Sequence, residues 1–323
     1  MSDIRRQPAA LRVGVSALFD PADTPHARTF LRALCVARNL LPDLQPVQWL
    51  FLDDGANPAR GAEVARQMIQ WKADVVIGHF SSDAAVSAAR LYEPAGIALL
   101  TPAATIDCLT LEHRNVFRFC PSDRRLAGDL VSWLQARQWR ALHIEADTSA
   151  HGQALAQAIA AAAHLAGLQQ VFDREQAQVE VFAGRLRASR QHWQARRATG
   201  SSRPLVLTDD AASPQLGAGR AGDVNAFVIG FGNPQAPGCH SALLHRTLFE
   251  GAPETYFRES LLMLYVLAQL AVGPERGPQL TDVLQRRCFA TPLGAVGFEN
   301  GECRGATTRI WQVGSAGLLP LTG

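Results

Sequence analysis

No stretch of the 323 residues reaches the roughly 18 consecutive apolar positions of a membrane-spanning helix. The longest candidate, Leu261 to Val272, is short, contains Gln269 and reads as a buried helix, so direct membrane insertion is not expected. The polar stretch Met1 to Ala10 lacks the apolar core of a signal peptide. As it stands the sequence reads as cytoplasmic, or as periplasmic if a signal has been removed. None of the six cysteines (Cys35, Cys108, Cys120, Cys239, Cys288, Cys303) forms a C-x-x-C pair. A chain of this length does not need disulfide staples, and such cysteines read as buried thiols in a reducing compartment. Strong charge of one sign is also missing. The net charge is +2 and the basic residues are scattered, which argues against a nucleic-acid surface. The densest basic stretch, Arg185 to Arg203, has helical spacing and only Trp193 as an aromatic, so it reads as a solvated helix face. There is no G-x-S-x-G elbow, and no base and nucleophile that the sequence places in mutual reach, so no enzyme is expected.

What is present is an ample core. Hydrophobic residues make up 47% and charged residues 19%, a globular balance, and the length suits two lobes. Short apolar runs alternate with helical patterns. Strands are expected over 11–18, 47–52, 73–78 and 96–100, with helices over 27–39, 61–71 and 82–93. Such alternation implies a parallel sheet covered on both faces. The pattern restarts with helix 123–137, strand 141–145, helix 152–166, strand 168–172, helix 182–197, and strands 204–208 and 226–229. Helices 253–272 and 279–287 and strands 294–298 and 308–313 close the chain. The fold class is therefore α/β, in two lobes, each a parallel sheet flanked by helices.

In an open parallel sheet, ligands bind beyond the carboxyl ends of the strands. Those ends carry polar residues here: His79 to Asp83, Thr101 to Thr105, Ala146 to Gly152, and Asp209-Asp210. Ser82 opens a helix, where its hydroxyl and the free N–H groups can hold a carboxylate or carbonyl oxygen. Thr105 and the Ala103 backbone offer a donor and an acceptor together, and Asp209 or Asp210 could pair with an amino group. Any one of these residues taken alone reads first as a helix cap; four such loops at one sheet edge shift the balance toward a site. Other motifs carry less. Gly217 to Gly222 matches G-x-G-x-x-G but has neither a preceding strand nor the later acidic residue of a dinucleotide site. Cys239, His240 and His245 lack a fourth metal ligand. His143 lies within a strand, and Asp53-Asp54 opens a turn. No cofactor and no metal are expected.

The stretch VVIGHFSSDAAVSAARLYEPAGIALLTPAAT, Val75 to Thr105, closely resembles the substrate-binding proteins of branched-chain amino acid transporters and the cytosolic amide sensor that shares their type I periplasmic-binding fold. FLDDGANPARGAEVARQMI resembles the family's D-D-x-x-x-P helix start, and Thr291 to Val313 its C-terminal segment. The resemblance is strong over 11–165, loose over 166–250 and fair beyond. It implies two hinged lobes that close on a ligand, with 1–120 and 241–291 in the first lobe, 121–240 and 292–323 in the second, and crossings near 120, 240 and 291. By position it implies that Ser82, Ala103 and Thr105 grip the ligand from the first lobe. His151, where relatives place a Tyr, and Asp209 or Asp210 would face it from the second. The loop Asp20 to His26 stands where an aromatic often covers the ligand. The second lobe is expected to have lost about one strand–helix unit. These departures shift the expected ligand from leucine-like toward more polar, amino-acid or amide-like. The implied function is non-catalytic solute capture for an ABC transporter or as a sensor, with an ABC permease as partner; the alternative is a cytosolic regulator acting through a regulatory protein. No helix-turn-helix precedes Leu11, so no nucleic-acid partner is expected.

Overall fold

The computed structural model describes residues 10–20, 25–213, 215–217, 221–232, 239–251, 253–315 and 317–321. The first lobe opens with β1 (Arg12–Ala17), α1 (His26–Leu40), β2 (Gln48–Asp53), α2 (Pro58–Gln70), β3 (Val75–Ile77), α3 (Ser82–Tyr92), β4 (Ala98–Thr101), α4 (Cys108–Glu112) and β5 (Val116–Arg118). The second continues with α5 (Asp123–Ala136), β6 (Ala141–Ala146), α6 (Ala150–Leu165), β7 (Gln169–Gln170), β8 (Val179–Ala183), α7 (Leu186–Ala198), β9 (Leu205–Leu207) and β10 (Asp223–Phe231). The chain then returns through α8 (His240–Phe249), α9 (Phe257–Val272), α10 (Gln279–Arg286), β11 (Phe289–Thr291), β12 (Gly294–Val296), β13 (Phe298–Glu299) and β14 (Glu302–Cys303). It ends in β15 (Thr308–Gly314) and β16 (Gly317–Pro320).

Two seven-stranded sheets result, in the orders β13-β14-β5-β4-β3-β1-β2 and β16-β15-β10-β9-β8-β6-β7. Pairing is parallel except at one edge of each, where β13–β14 and β10–β15–β16 run antiparallel. Every residue of β3 and β4 is buried, as a parallel sheet covered on both faces requires. Local chemistry sets the helix starts. Asn57 accepts from the Ala59 and Arg60 N–H groups ahead of Pro58, and Ser122 and Ser149 cap α5 and α6 in the same way.

The structure departs from the expectations in several places. Residues 179–183 form a strand, so the helix expected from 182 starts only at Leu186. Alternating Val179 and Val181, followed by Gly184, favour strand there. α4, β5, α8 and β16 had no sequence counterpart. Strands β13 and β14 pair in the first sheet, β14 directly with β5, so residues 298–303 belong to the first lobe. The last crossing therefore follows Cys303 rather than lying near 291. The second sheet has as many strands as the first, seven, two of them the antiparallel β15 and β16. Only Cys120 and Cys303 are buried among the cysteines. Within the basic stretch, Arg196 and Arg197 are engaged by Glu180 and Asp223 rather than simply solvated. Residues 1–9 of the N-terminal segment, 21–24 of the loop after β1, and 218–220 of the glycine motif lie outside the described residues. Among the described residues, no helix is long and apolar enough to cross a membrane.

Candidate functional site

The first-lobe wall is built on the ends of β3 and β4. Gly78 turns the chain out of β3 with φ +123°, and a Cβ there would sit 2.0 Å from the Ser16 carbonyl oxygen. The turn buries His79 completely, where its Nδ1 meets Asp54 Oδ2 at 2.8 Å and Ser16 Oγ at 3.1 Å, and its Nε2 meets the Tyr92 hydroxyl at 3.1 Å. Burial raises the Asp54 carboxyl, but His79, the Ala56 N–H and Ser16 outweigh it and hold the group below its usual range. Serine, histidine and aspartate thus meet, but all three are wholly buried, and Ser16 and Asp54 share one ring nitrogen. The cluster is a brace beneath the site. Above it Ser81 caps α3 by position, and Ser82 is the first helical residue. The Ser82 hydroxyl is buried and bonds to nothing, so it is not serving as a cap.

The second part of this wall is the turn Thr101 to Thr105. Thr101 Oγ1 accepts from the Ala104 N–H at 3.1 Å, and the guanidinium of Arg118 donates to the carbonyls of Thr105 (2.6 Å) and Ile106 (2.8 Å). Arg118 is fully buried and is neutralised by Glu302, which reaches it from β14. The returning segment therefore fixes the shape of the turn.

The second-lobe wall carries His151, Asp209 and Asp210. Asp147 accepts from the Ser149 N–H at 3.0 Å and from the Arg185 N–H at 2.8 Å, and a Cβ on Gly152 would approach its Oδ1 to 2.3 Å. Glycine is needed there for the close approach, and the turn sends His151 across the cleft, where Nδ1 lies 3.3 Å from Thr105 Oγ1 and Nε2 lies 3.4 Å from Asp209 Oδ1. Burial alone would lower the His151 pKa; Asp209, Asp210 and Asp123 outweigh it and raise it to about 10. Asp209 and Asp210 follow β9 and share the hydroxyl of Tyr256, at 3.4 and 3.1 Å. Burial would raise the Asp210 carboxyl, but the imidazoles of His26 and His151 and the Tyr256 hydroxyl hold it well below its usual range. Asp123 is also buried, with no well-formed partner at either oxygen. Burial pushes its carboxyl up to about 6 against the pull of His151 and Thr105.

Three residues that the sequence did not single out complete the site. His26, at the start of α1, places Nε2 2.8 Å from Asp210 Oδ1, with its ring edge-on to Tyr256 at 4.4 Å. Arg185 crosses from the second lobe to Asp83 Oδ2 at 2.8 Å and the Ala56 carbonyl at 3.1 Å. Asp83 Oδ1 also accepts from the Ala150 N–H at 3.1 Å. These contacts close the lobes directly on each other. His26, Ser82, Ala103, His151, Arg185 and Asp210 share one small cavity of about 20 Å³, room for a single water. The structure thus gathers Ser82, Ala103, His151 and Asp210 at the cavity, with Thr105 and Asp209 one contact behind His151. The hint for His26 was its place just after the first strand; Arg185 had only its place ahead of a helix, and Tyr256 had none.

The donor atoms of His151, Asp209 and Asp210 lie within 4.8 Å of one another, as metal ligands could. A metal needs the imidazole lone pair, and the raised pKa keeps a proton there at neutral pH. The trio fits an ion-pair cluster better than a metal centre. His240 and His245 lie on α8, where His245 Nδ1 meets the Gly251 carbonyl at 2.9 Å, and His143 contacts the Val171 carbonyl at 3.0 Å.

Comparison with known proteins adds to this geometry. Residues 45–191 match the family model described as periplasmic binding protein. An amino acid binding protein of Pseudomonas aeruginosa is 34% identical over 125 residues, 37% of this chain and 33% of that relative. The match thus spans about one third of the relative's length. Among solved structures, a leucine binding protein from Thermotoga maritima superposes with a TM-score of 0.83 at 16% identity, covering 97% of this chain and 98% of its own. A solute binding protein of an ABC transporter from Rhodopseudomonas palustris, in complex with 3,4-dihydroxybenzoic acid, superposes with a TM-score of 0.80 at 12% identity, covering 97% and 96%. Each of these is named a binding protein, none an enzyme. The matches bear out the resemblance read from Val75 to Thr105, and the fold is that of the two-lobed periplasmic binding proteins.

Proposed function

We propose that this chain is a non-catalytic solute-binding protein that closes its two lobes on a small polar solute. One observation carries the reading: the strand-end turns of both lobes meet at a single cavity, where the buried Ser82 hydroxyl has no partner in the protein. An unpaired buried hydroxyl costs about 1–3 kcal/mol, a cost that a ligand oxygen would remove. The solute stabilises the closed form only by its differential affinity for it. The closed form then serves as the signal, to an ABC permease in transport or to a regulatory protein in sensing. The kinship with an amino acid binding protein supports a solute of amino-acid size.

A thermal-shift screen of the whole chain against amino acids, short amides, urea and small carboxylates tests this reading. A ligand at about 100 times its dissociation constant adds roughly 2.7 kcal/mol to the folded state. A shift of several degrees with one chemical class supports the reading. No shift from any class at 10 mM, on the order of a hundred times a 0.1 mM dissociation constant, overturns it.

A further inference from the structure

We propose that His26 occupies the place of a ligand ammonium group, so that the cleft selects a small carboxylate without an amino group. This rests on the solute-binding reading and names the charge of the solute. Every carboxylate near the cavity already faces a basic group of the protein. Asp83 holds Arg185, Asp209 faces His151 at 3.4 Å, and Asp210 holds His26 at 2.8 Å while accepting from Tyr256. Asp123 lies behind Thr105, at 1% exposure, and does not line the cavity. The groups facing the cavity are two imidazoles and a guanidinium against one carboxylate, Asp210. An incoming ammonium would have to displace the His26 ring from that carboxylate and would sit close to the His151 imidazolium, and like charges at such range repel.

A carboxylate meets the opposite field. The partnerless Ser82 hydroxyl donates to it, and the first turn of the eleven-residue α3 points free N–H groups the same way. Phe80, Ala56 and Ala103 supply an apolar wall for a short tail. His26 stands at the very start of α1, and its Nε2 stays 2.8 Å from Asp210 Oδ1, filling that position from the protein itself. That the same fold accommodates an acid lacking an amine is seen in the Rhodopseudomonas palustris complex.

The test is calorimetric titration of the full chain with matched pairs: propanoate against alanine, and 4-methylpentanoate against leucine. In the unaltered protein at least one acid should bind about tenfold or more tightly than its amino acid, a difference of roughly 1.4 kcal/mol. His26→Ala frees Asp210 and should narrow or invert that ratio. His26→Gln, which keeps the size of the side chain, should move it the same way if the alanine variant does not fold. Alanine or leucine binding as tightly as its matched acid in the unaltered protein overturns the inference and leaves the solute-binding reading standing. Binding of a neutral amide alone does the same. Failure of acids, amino acids and amides together sinks both.

Discussion

Two side chains, Thr105 and Asp209, define what a single residue does in this cleft. Each contacts His151 from an opposite lobe, so each steadies the imidazolium that the closed form needs. Thr105→Ala or Asp209→Ala should weaken binding of the solute found in the thermal screen by about 1–3 kcal/mol, the cost of buried groups left unpaired. Unchanged affinity in both variants would remove these residues from the site. His151 itself makes stability depend on pH. Its pKa rises from 6.5 in the unfolded chain to about 10 in the fold. The stabilisation from that proton is therefore complete below about pH 6.5 and disappears as pH climbs toward 10. The urea midpoint of the unaltered protein should fall over that window more steeply than that of His151→Gln; parallel slopes would mean that His151 does not carry the proton. Ser82, Thr105, His151 and the aspartate pair were legible in sequence because each follows a strand end that hydrophobic patterning had already located. His26 and Tyr256 were not, since what makes them matter is a partner 184 or about 46 positions away, and no local pattern encodes such a meeting.

Whole elements are organised by what returns to them late in the chain. β4, β5 and the Thr101 to Thr105 turn take their shape from Arg118, and Arg118 takes its neutralising partner from β14. Arg118→Met leaves Glu302 without its cation and takes one of two donors from each of the Ala104, Thr105 and Ile106 carbonyls. It should cost about 1–3 kcal/mol in folding stability through the lost buried hydrogen bonds, and it should weaken ligand binding through the displaced Thr105. Denaturant titration beside calorimetry separates the two effects; normal stability with normal binding would contradict the assignment. At this scale the sequence was informative where periodicity was clean, as in α1, α2, α3 and α5. It failed where short strands abut helices. Val179 to Ala183 was partly absorbed into the helix that follows it, and the two-residue β7 was expected to be longer. Such edge pairings depend on the neighbouring strand more than on their own residues.

On the scale of the whole molecule, closure is held by protein contacts across the cleft. Asp83 anchors them, accepting from Arg185 and from the Ala150 N–H. Asp83→Asn keeps the shape but removes the charge. Charge-assisted hydrogen bonds contribute about 1.5–3 kcal/mol, so the ratio of open to closed forms should rise by about ten- to a hundredfold. Small-angle scattering without ligand should then report a larger radius of gyration, returning toward the original value when ligand is added; an unchanged radius would mean that other contacts hold the lobes shut. The two-lobed plan was legible from the restart of the strand–helix pattern near Asp123. The position of the last crossing was not, because β13 and β14 have only two residues each, too few to announce which sheet they join.

That late return governs the order in which the molecule can be completed on the ribosome. β5 lies at the growing edge of the first sheet, and its neighbour β14 is supplied by residues 302–303 of a 323-residue chain. Until those residues are made, this edge has no partner and Arg118 lacks Glu302 as its counter-ion. The second sheet can assemble as far as β10 by residue 231. Both sheets thus wait for late residues, β5 for β14 and β10 for β15, and a nascent protein stalled before Glu302 presents two open β edges to its surroundings, the kind of surface that chaperones cover and that other chains pair with.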